Sequence, residues 1–407
     1  MTAVATMWRT DRSRLIGLIG IAVGLAMVLL NLGFLFRAGT SEVLTGLAYN
    51  AFVLGWILLI TSGSRTVSLA TLGAFWLLGV WAVTGLAYLL EQGMIDLSGV
   101  ETSDDVVPVW FASVTEEGLK PLAVVLYFVL ASRRNHRWPS ISDGLLLGFV
   151  VGWGLKFHED AHIGIVTGHG WGVASPWTTF FPTTELWNDF LYNDHAVRGA
   201  LEGLSVGAAA MLWHWRRAAW LVGLAGPALM FWGHVMWNHF AGEPGEATGS
   251  ADAPFLYATL RDLLDGGRLP VLVLLIGAVA AVVAELMILR WIGKRDRRFP
   301  ALPVARVLPM LKRWNTRAGL AELVAVDRYL TLRRSVYYAG WRSHVAGAEP
   351  VVMYADHAEL NSLAARLEIL PQPAQPSPAA PTSPADAMAA AVPASDAPVG
   401  DAPVGAG

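Results

Sequence analysis

Ionisable side chains lie within four long apolar stretches of this chain, where each charge costs roughly 2.5–3.5 kcal/mol on membrane-insertion scales. Their types suit hydrolysis, because a carboxylate can take a proton from water while histidines bind a metal ion or stabilise an oxyanion. Together they predict a site that activates water. The candidate residues are Glu116, Glu117, Lys120, Glu159, His195, His234 and Asn238.

The first of these stretches carries three charges within five residues. Glu116 and Lys120 are four residues apart, so they can pair on one face of a helix. Glu117 projects about 100° away and is free to face a different neighbour. Either glutamate is a candidate general base.

The next stretch ends in His158-Glu159-x-x-His162, which matches the zincin pattern. In that pattern two histidines one turn apart bind zinc, and the glutamate activates water. The interpretation requires a third ligand and a helix that continues past Glu159. His158 and His162 are therefore alternative metal ligands, and a zincin-like metalloprotease is an alternative function.

The remaining two stretches place histidines beside other polar groups. His195 shares a helical stripe with Arg198 and Glu202, and those two are spaced to form an i,i+4 ion pair. His234 and Asn238 are four residues apart, so an imidazole and an amide can reach one metal, water or oxyanion.

The elements that position these residues are predicted to be membrane-spanning helices. With 54% hydrophobic and 15% charged residues, the chain is too apolar for an ordinary soluble protein. Apolar runs of about 20 residues, enough to cross a hydrocarbon core of about 30 Å, recur eight times. The fold class is therefore all-α, a polytopic helix bundle. The runs cover residues 15–36, 44–61, 69–90, 110–131, 141–159, 192–213, 218–240 and 270–292.

Arginines and lysines indicate how the bundle is oriented. They precede the first run and follow the fourth, sixth and eighth, so the positive-inside bias places both termini in the cytoplasm. We expect a multi-pass protein of a cell membrane, consistent with a bacterial inner (plasma) membrane. The predicted parts are a bundle over 1–293 with its functional core at about 110–240, a cytosolic helical segment over 294–370, and a disordered Pro/Ala-rich tail over 371–407.

Composition also excludes some classes of function. The net charge of −3 gives no electrostatic support for a nucleic-acid partner. The absence of cysteine excludes a cysteine nucleophile and thiolate metal ligands. A metal ion would therefore be bound by His, Asp or Glu.

The predicted orientation brings the polar groups to one depth. The fourth and sixth runs begin at the outer face, whereas the fifth and seventh end there, and each carries its polar residues at that end. Carboxylates and imidazoles should therefore share one site beneath the outer leaflet, as a hydrolytic centre requires.

Four motifs in this region resemble those of the PrsW-type intramembrane proteases, which are related to the CAAX prenyl endopeptidase group. The resemblance covers about residues 110–240, with Leu155 where the second motif has Phe. The motifs are Glu116-Glu117-x-x-Lys120, Asp143-Gly144 with Gly154 and Glu159, His195-x-x-x-Gly199-x-x-x-Gly203, and His234-x-x-x-Asn238.

The resemblance implies hydrolysis of peptide bonds in membrane-anchored protein substrates, within surrounding membrane lipid. Two mechanisms fit the same residues. In one, His195, His234 and Glu159 hold zinc or another divalent metal ion while Glu117 takes the proton from water. In the other, no metal is present, a glutamate activates water, and His and Asn238 stabilise the oxyanion.

Two non-enzymatic functions are alternatives. A transporter or proton relay would use the same carboxylates and histidines as a conduction path, but past Glu202 the sequence offers few polar residues toward the cytoplasm. A sensor or scaffold would instead bind partners through the segment after residue 294.

Overall fold

The computed structural model describes residues 41–102, 106–134, 138–167, 195–213, 218–241, 268–295, 315–345 and 354–367, together with a few isolated positions. In these ranges the chain forms helices and no strand, which agrees with the predicted all-α class. The helices are α1 (Ser41–Thr61), α2 (Leu69–Ser98), α3 (Ser113–Arg134), α4 (Ile141–Thr167), α5 (His195–Leu212), α6 (Ala219–Ala241), α7 (Arg268–Arg295), α8 (Arg317–Val345) and α9 (Tyr354–Arg366).

Seven of the predicted apolar runs coincide with α1 to α7. Among the described residues, three helices are long and apolar enough to cross a membrane: Leu69–Ser98, Ala219–Met236 and Leu272–Lys294. Eight spans and their orientation thus stay a prediction, and the first run, 15–36, lies outside the described residues. The predicted ends are wrong for two helices, since α2 continues to Ser98 and α4 continues to Thr167.

The central helix of the bundle is α4. Every residue from Ser142 to Gly152 is buried, because α1, α2, α5 and α7 surround this part of the helix. Its residues are nearly all apolar, as expected for a helix covered by other helices on all sides. The predicted functional core is therefore built around α4.

Glycines let α4 and α5 touch through their backbones. A methyl group added to Gly148 would overlap the carbonyl oxygen of Gly199, and one added to Gly144 would overlap that of Gly203. Gly152 similarly lies against the carbonyl oxygen of His195. Small residues spaced four apart are the usual means of close helix approach in membranes. This contact fixes the start of α5 beside the second half of α4.

A second close contact joins α2 to α4. Within α2, residues Leu78–Val83 form a π-helical segment. Gly79 of this segment lies against the carbonyl of Val151, and Gly154 lies against that of Trp76. Such π-helical segments are rare and occur often near functional sites. The segment allows α2 to pack against the half of α4 that leads to Glu159.

The start of α4 has a capping box. Ser140 is the cap: its Oγ accepts from the Asp143 N–H at 3.1 Å. The Asp143 carboxylate accepts in return from the Ser140 N–H at 2.7 Å. It also accepts from the backbone N–H groups of Thr66 and Val67, so the same carboxylate holds the loop between α1 and α2.

Helix α8 packs over this loop. The Arg334 guanidinium donates to the carbonyl of Arg65 at 3.0 Å, and the Tyr338 hydroxyl donates to the carbonyl of Ser64. Arg65 forms an ion pair with Asp327. Helices α8 and α9 fall within the predicted segment 294–370, whose position in the cytosol stays a prediction, and the predicted tail 371–407 lies outside the described residues.

Candidate active site

Carboxylates and imidazoles from four helices meet at one end of the bundle. They come from the starts of α3 and α5 and from the second halves of α4 and α6, as the antiparallel arrangement of the helices requires. One ligand atom from each of Glu116, Glu117, His195 and His234 lies within 4.8 Å of the others. Glu159 joins them through His195. These five residues are called the Glu/His cluster below.

Glu117 is the most completely bonded member of the cluster. Its Oε2 accepts from Lys120 Nζ at 2.6 Å, and its Oε1 lies 2.8 Å from His234 Nδ1. Arg198 Nη1 lies 3.8 Å from the same Oε1. Both Glu117 and Lys120 are buried. A carboxylate bonded in this way orients its histidine and fixes which ring nitrogen carries the proton.

The predicted pairing of Glu116 with Lys120 is therefore wrong. Three residues of separation suffice to bring Glu117 to Lys120, while Glu116 points toward the histidines. Glu116 Oε2 lies 3.4 Å from His195 Nε2 and 4.0 Å from His234 Nε2. Sequence spacing lets Lys120 pair with either Glu116 or Glu117. The histidines that α5 and α6 place beside α3 determine which glutamate does so.

His195 lies between three carboxylates. Its Nε2 is 3.1 Å from Glu159 Oε2 and 3.4 Å from Glu116 Oε2. On the other side of the ring, Nδ1 is 3.7 Å from Glu117 Oε1. The His195 and His234 rings meet edge to face with their centroids 5.1 Å apart. The Nε2 atoms of both rings are thus directed toward Glu116.

Several buried atoms of the cluster lack a hydrogen bond within the described part of the chain. These include Oε2 of Glu116 and Oε2 of Glu159. A buried carboxylate oxygen without a donor is costly, so such atoms call for a water molecule, an ion or a substrate group. Both oxygens lie next to His195 Nε2, which places the unsatisfied groups around one point.

The donor set fits a divalent metal ion. Imidazole nitrogens and carboxylate oxygens are ordinary zinc ligands, and tetrahedral coordination at about 2.0–2.2 Å separates neighbouring ligand atoms by about 3.3–3.6 Å. The separations around His195 Nε2 are 3.1 and 3.4 Å, and that between His234 Nε2 and Glu116 Oε2 is 4.0 Å. These three separations are close to those between neighbouring ligands of a tetrahedral ion.

Behind the cluster lies a buried carboxylate whose partner the sequence does not reveal. Glu202 is predicted to pair with Arg198, but Arg198 is directed at Glu117, and Lys120 Nζ is 3.8 Å from Glu202 Oε2. Neither carboxylate oxygen of Glu202 has a hydrogen bond within the described residues. The sequence does not indicate this contact with Lys120, because Arg198 is already spaced to pair with Glu202 on the same helix.

Glu91 is a further acidic residue beside this region that sequence reasoning misses. It accepts a hydrogen bond of 2.8 Å from the Thr115 hydroxyl, one residue before Glu116. The sequence feature that could have indicated Glu91 is its position immediately after the apolar run 69–90. Helix α2 continues for two further turns beyond that run, so Glu91 still lies on the helix.

Asn238 lies on the same side of the bundle but contacts the backbone instead of the cluster. Its Nδ2 donates to the carbonyl of Pro108 at 2.7 Å. Pro108 belongs to the π-helical turn Val107–Ala112 that precedes α3. In this arrangement Asn238 ties the end of α6 to the start of α3, next to His234 and Glu116.

The zincin interpretation meets one of its requirements. Helix α4 continues past Glu159 to Thr167, so residues 158 and 162 are one turn apart on it. The side chain of His162 lies outside the described residues. Glu159 itself faces His195 of α5, with Lys156 Nζ 3.7 Å away. The described contacts therefore join Glu159 to the Glu/His cluster.

Comparison with known proteins bears on the same region. Searches of curated proteins and of solved structures find no match to this chain. Residues 68–260, however, match a family model described as PrsW family intramembrane metalloprotease. The matched range contains the whole Glu/His cluster and extends beyond the 110–240 over which the motifs resemble that family. The predicted resemblance is thus confirmed: just under half of the chain, residues 68–260, is similar to the PrsW family of intramembrane metalloproteases.

Proposed function

We propose that the Glu/His cluster hydrolyses peptide bonds of membrane-anchored proteins by activating a water molecule between Glu116, Glu159 and the two histidines. The supporting observation is that carboxylate oxygens without a hydrogen bond lie beside imidazole nitrogens: His195 Nε2 is 3.1 Å from Glu159 Oε2 and 3.4 Å from Glu116 Oε2, and His234 Nε2 is 4.0 Å from Glu116 Oε2. Water held there would lie within reach of both a proton acceptor and a polarising group, as general-base hydrolysis requires.

The bonding of the two adjacent glutamates favours different roles for them. Glu116 has an oxygen without a hydrogen bond in the described residues, so it is the better placed general base. Glu117 is occupied by Lys120 and His234, so it serves as a positioning residue that keeps His234 Nε2 directed at the water. This assignment differs from the sequence-based mechanism, in which Glu117 takes the proton.

A divalent ion such as zinc would be held by His195, His234 and Glu159, with Glu116 beside it. When bound, such an ion acidifies a coordinated water and polarises the substrate carbonyl. If the reaction runs without a metal, Glu116 takes the proton from water and the two imidazoles stabilise the charge on the tetrahedral intermediate. In either case Asn238 acts by holding α6 against the start of α3.

The proposed setting is a cell membrane crossed by eight helices with both termini in the cytoplasm. In that orientation the cluster lies under the outer leaflet, because the basic loops lie at the other end of α3 and α5. Substrates would be proteins whose scissile bond lies near the extracytoplasmic end of a membrane segment. A bacterial plasma membrane is the proposed location.

Replacing Glu116 tests the proposed role of the cluster. The purified full-length chain is incubated in lipid vesicles with membrane-anchored proteins from the same membrane, and cleavage products are identified by their new termini. We expect E116Q to slow cleavage about 10²–10⁴-fold, the usual contribution of a general base. Exposed Glu101, outside the cluster, supplies the matched control E101Q, which should cleave at the wild-type rate. Equal cleavage by E116Q and E101Q would refute the proposal.

Metal removal separates the two mechanisms. If an ion is required, dialysis against a chelator should abolish cleavage, and zinc added back should restore it. Elemental analysis should then find about one metal ion per chain in the wild type and less in H195A. Full cleavage by chelated, metal-depleted protein would establish the metal-free mechanism.

A further inference from the structure

A cavity of about 400 Å³ lies between the ends of α3, α5 and α8. It is at the opposite end of the bundle from the Glu/His cluster, since Ser132 in its wall is 15 residues beyond Glu117, about 22 Å along α3. Its volume is within the range of small-molecule sites. The wall is mostly aromatic and apolar, and includes Phe128, Trp138, Met211, Trp213, Trp341 and Arg342.

One cation, Arg342, lies in this apolar wall. Its guanidinium stacks on the Trp138 ring, 3.2 Å from the ring centroid. Burial lowers the pKa of Arg342 to about 10, so the side chain still carries its charge at neutral pH. No carboxylate in the part of the chain that the structure describes forms an ion pair with it. A partly buried cation without an acid is a favourable place for an anionic ligand.

The position of the cavity indicates where that anion comes from. Three tryptophans line it, as is typical of helices at the level of lipid headgroups. The ends of α3 and α5 that border it lead into Arg133, Arg134, Arg216 and Arg217, which mark the cytoplasmic side. The cytoplasmic leaflet is rich in anionic lipid. An anionic headgroup attached to apolar chains is thus the ligand already present at this place.

We propose that this cavity binds one anionic phospholipid, with its phosphate on Arg342 and the upper part of an acyl chain between Phe128, Met211 and Trp213. Bound there, the lipid joins α8 to the ends of α3 and α5, because the three elements form one wall. The proposal concerns a different end of the molecule from the Glu/His cluster and holds whether or not that cluster cleaves peptides.

Native mass spectrometry of the delipidated full-length chain tests the site. Phosphatidylglycerol is added to detergent-solubilised protein, and phosphatidylcholine of the same chain length serves as the zwitterionic comparison. We expect one retained phosphatidylglycerol per chain, bound at least about fivefold more tightly than phosphatidylcholine. R342Q should remove that preference. A210F, which places a ring in the cavity, should weaken binding of both lipids.

Controls distinguish lipid binding from nonspecific attraction. Arg317, exposed at the first turn of the same helix, supplies the matched variant R317Q, which should bind phosphatidylglycerol like the wild type. Thermal unfolding of each variant without lipid shows whether it is folded. Equal phosphatidylglycerol affinity in R342Q and R317Q would overturn the proposal. So would binding of glycerol phosphate as tight as that of the lipid, because the acyl chain would then contribute nothing.

Discussion

At the level of single residues, Lys120 carries a buried charge on which the arrangement of two carboxylates depends. Its ammonium is fully buried, 2.6 Å from a carboxylate oxygen of Glu117 and 3.8 Å from one of Glu202. Two buried carboxylates around one cation are tolerable only while the cation is present, since each unpaired buried charge is strongly destabilising. Lys120 therefore allows Glu117 to remain close to His234.

We predict that K120M destabilises the protein by about 3–5 kcal/mol, the usual cost of removing one partner from a buried ion pair. K120M/E202Q should recover part of that loss, because one of the two stranded carboxylates becomes neutral. Denaturant or thermal unfolding of the detergent-solubilised chain measures both. A double variant no more stable than K120M would show that Glu202 does not depend on Lys120.

The candidate site could be predicted from the sequence as a set of residues but not as a set of bonds. Charged groups in apolar runs are conspicuous, and helix direction places Glu116, Glu159, His195 and His234 at one end. Which glutamate meets Lys120 depends on the groups that α5 and α6 place beside α3, and the sequence spacing allows both. The contacts of Glu202 and Glu91 depend on other helices, so no local pattern reveals them.

At the level of elements, the spacing of α4 and α5 determines the cluster. Gly144, Gly148 and Gly152 face the backbone of α5 directly, and the last of them touches the carbonyl of His195 itself. Glu159 lies only two turns beyond Gly152. The distance between Glu159 and His195 is thus a consequence of the glycine contact, which the sequence indicates by glycines four residues apart.

A methyl group at this interface should disturb both stability and activity. G148A would overlap the carbonyl of Gly199, so we predict a loss of at least about 1–3 kcal/mol, typical of overpacking, together with slower cleavage. Gly73 of α2 is the matched control, because nothing lies within 4 Å of a methyl group added there. G73A should unfold like the wild type. Equal unfolding temperatures for the two variants would contradict the close packing.

At the level of the whole molecule, α8 closes the end of the bundle opposite the cluster. Arg334 is buried against the carbonyl of Arg65, and burial together with the nearby Arg65 cation lowers the pKa of Arg334 to about 10. The helical spacing of apolar residues in 294–370 predicts helices there, but not their docking onto the loop between α1 and α2. That docking depends on the backbone carbonyls of Ser64 and Arg65 and on an ion pair between Arg65 and Asp327, which lie far apart in the sequence, so no local pattern predicts it.

We predict that R334M loosens α8, because the carbonyl of Arg65 loses a charged donor worth about 1.5–3 kcal/mol. Amide hydrogen exchange within Arg317–Val345 should then accelerate about tenfold or more. R317M, at an exposed position of the same helix, should leave exchange unchanged. If R334M exchanges like R317M, the hydrogen bond of Arg334 to the Arg65 carbonyl does not hold α8 in place.

Where α4 meets α5, the backbone of one helix lies directly against the backbone of the other. The distance between Glu159 and His195 is therefore set by the thickness of the main chain. Amino-acid replacement leaves that thickness untouched. Side chains on the outer surface of the bundle can therefore change to suit bilayers of different thickness. The distance between Glu159 and His195 stays the same as long as those few glycines are kept.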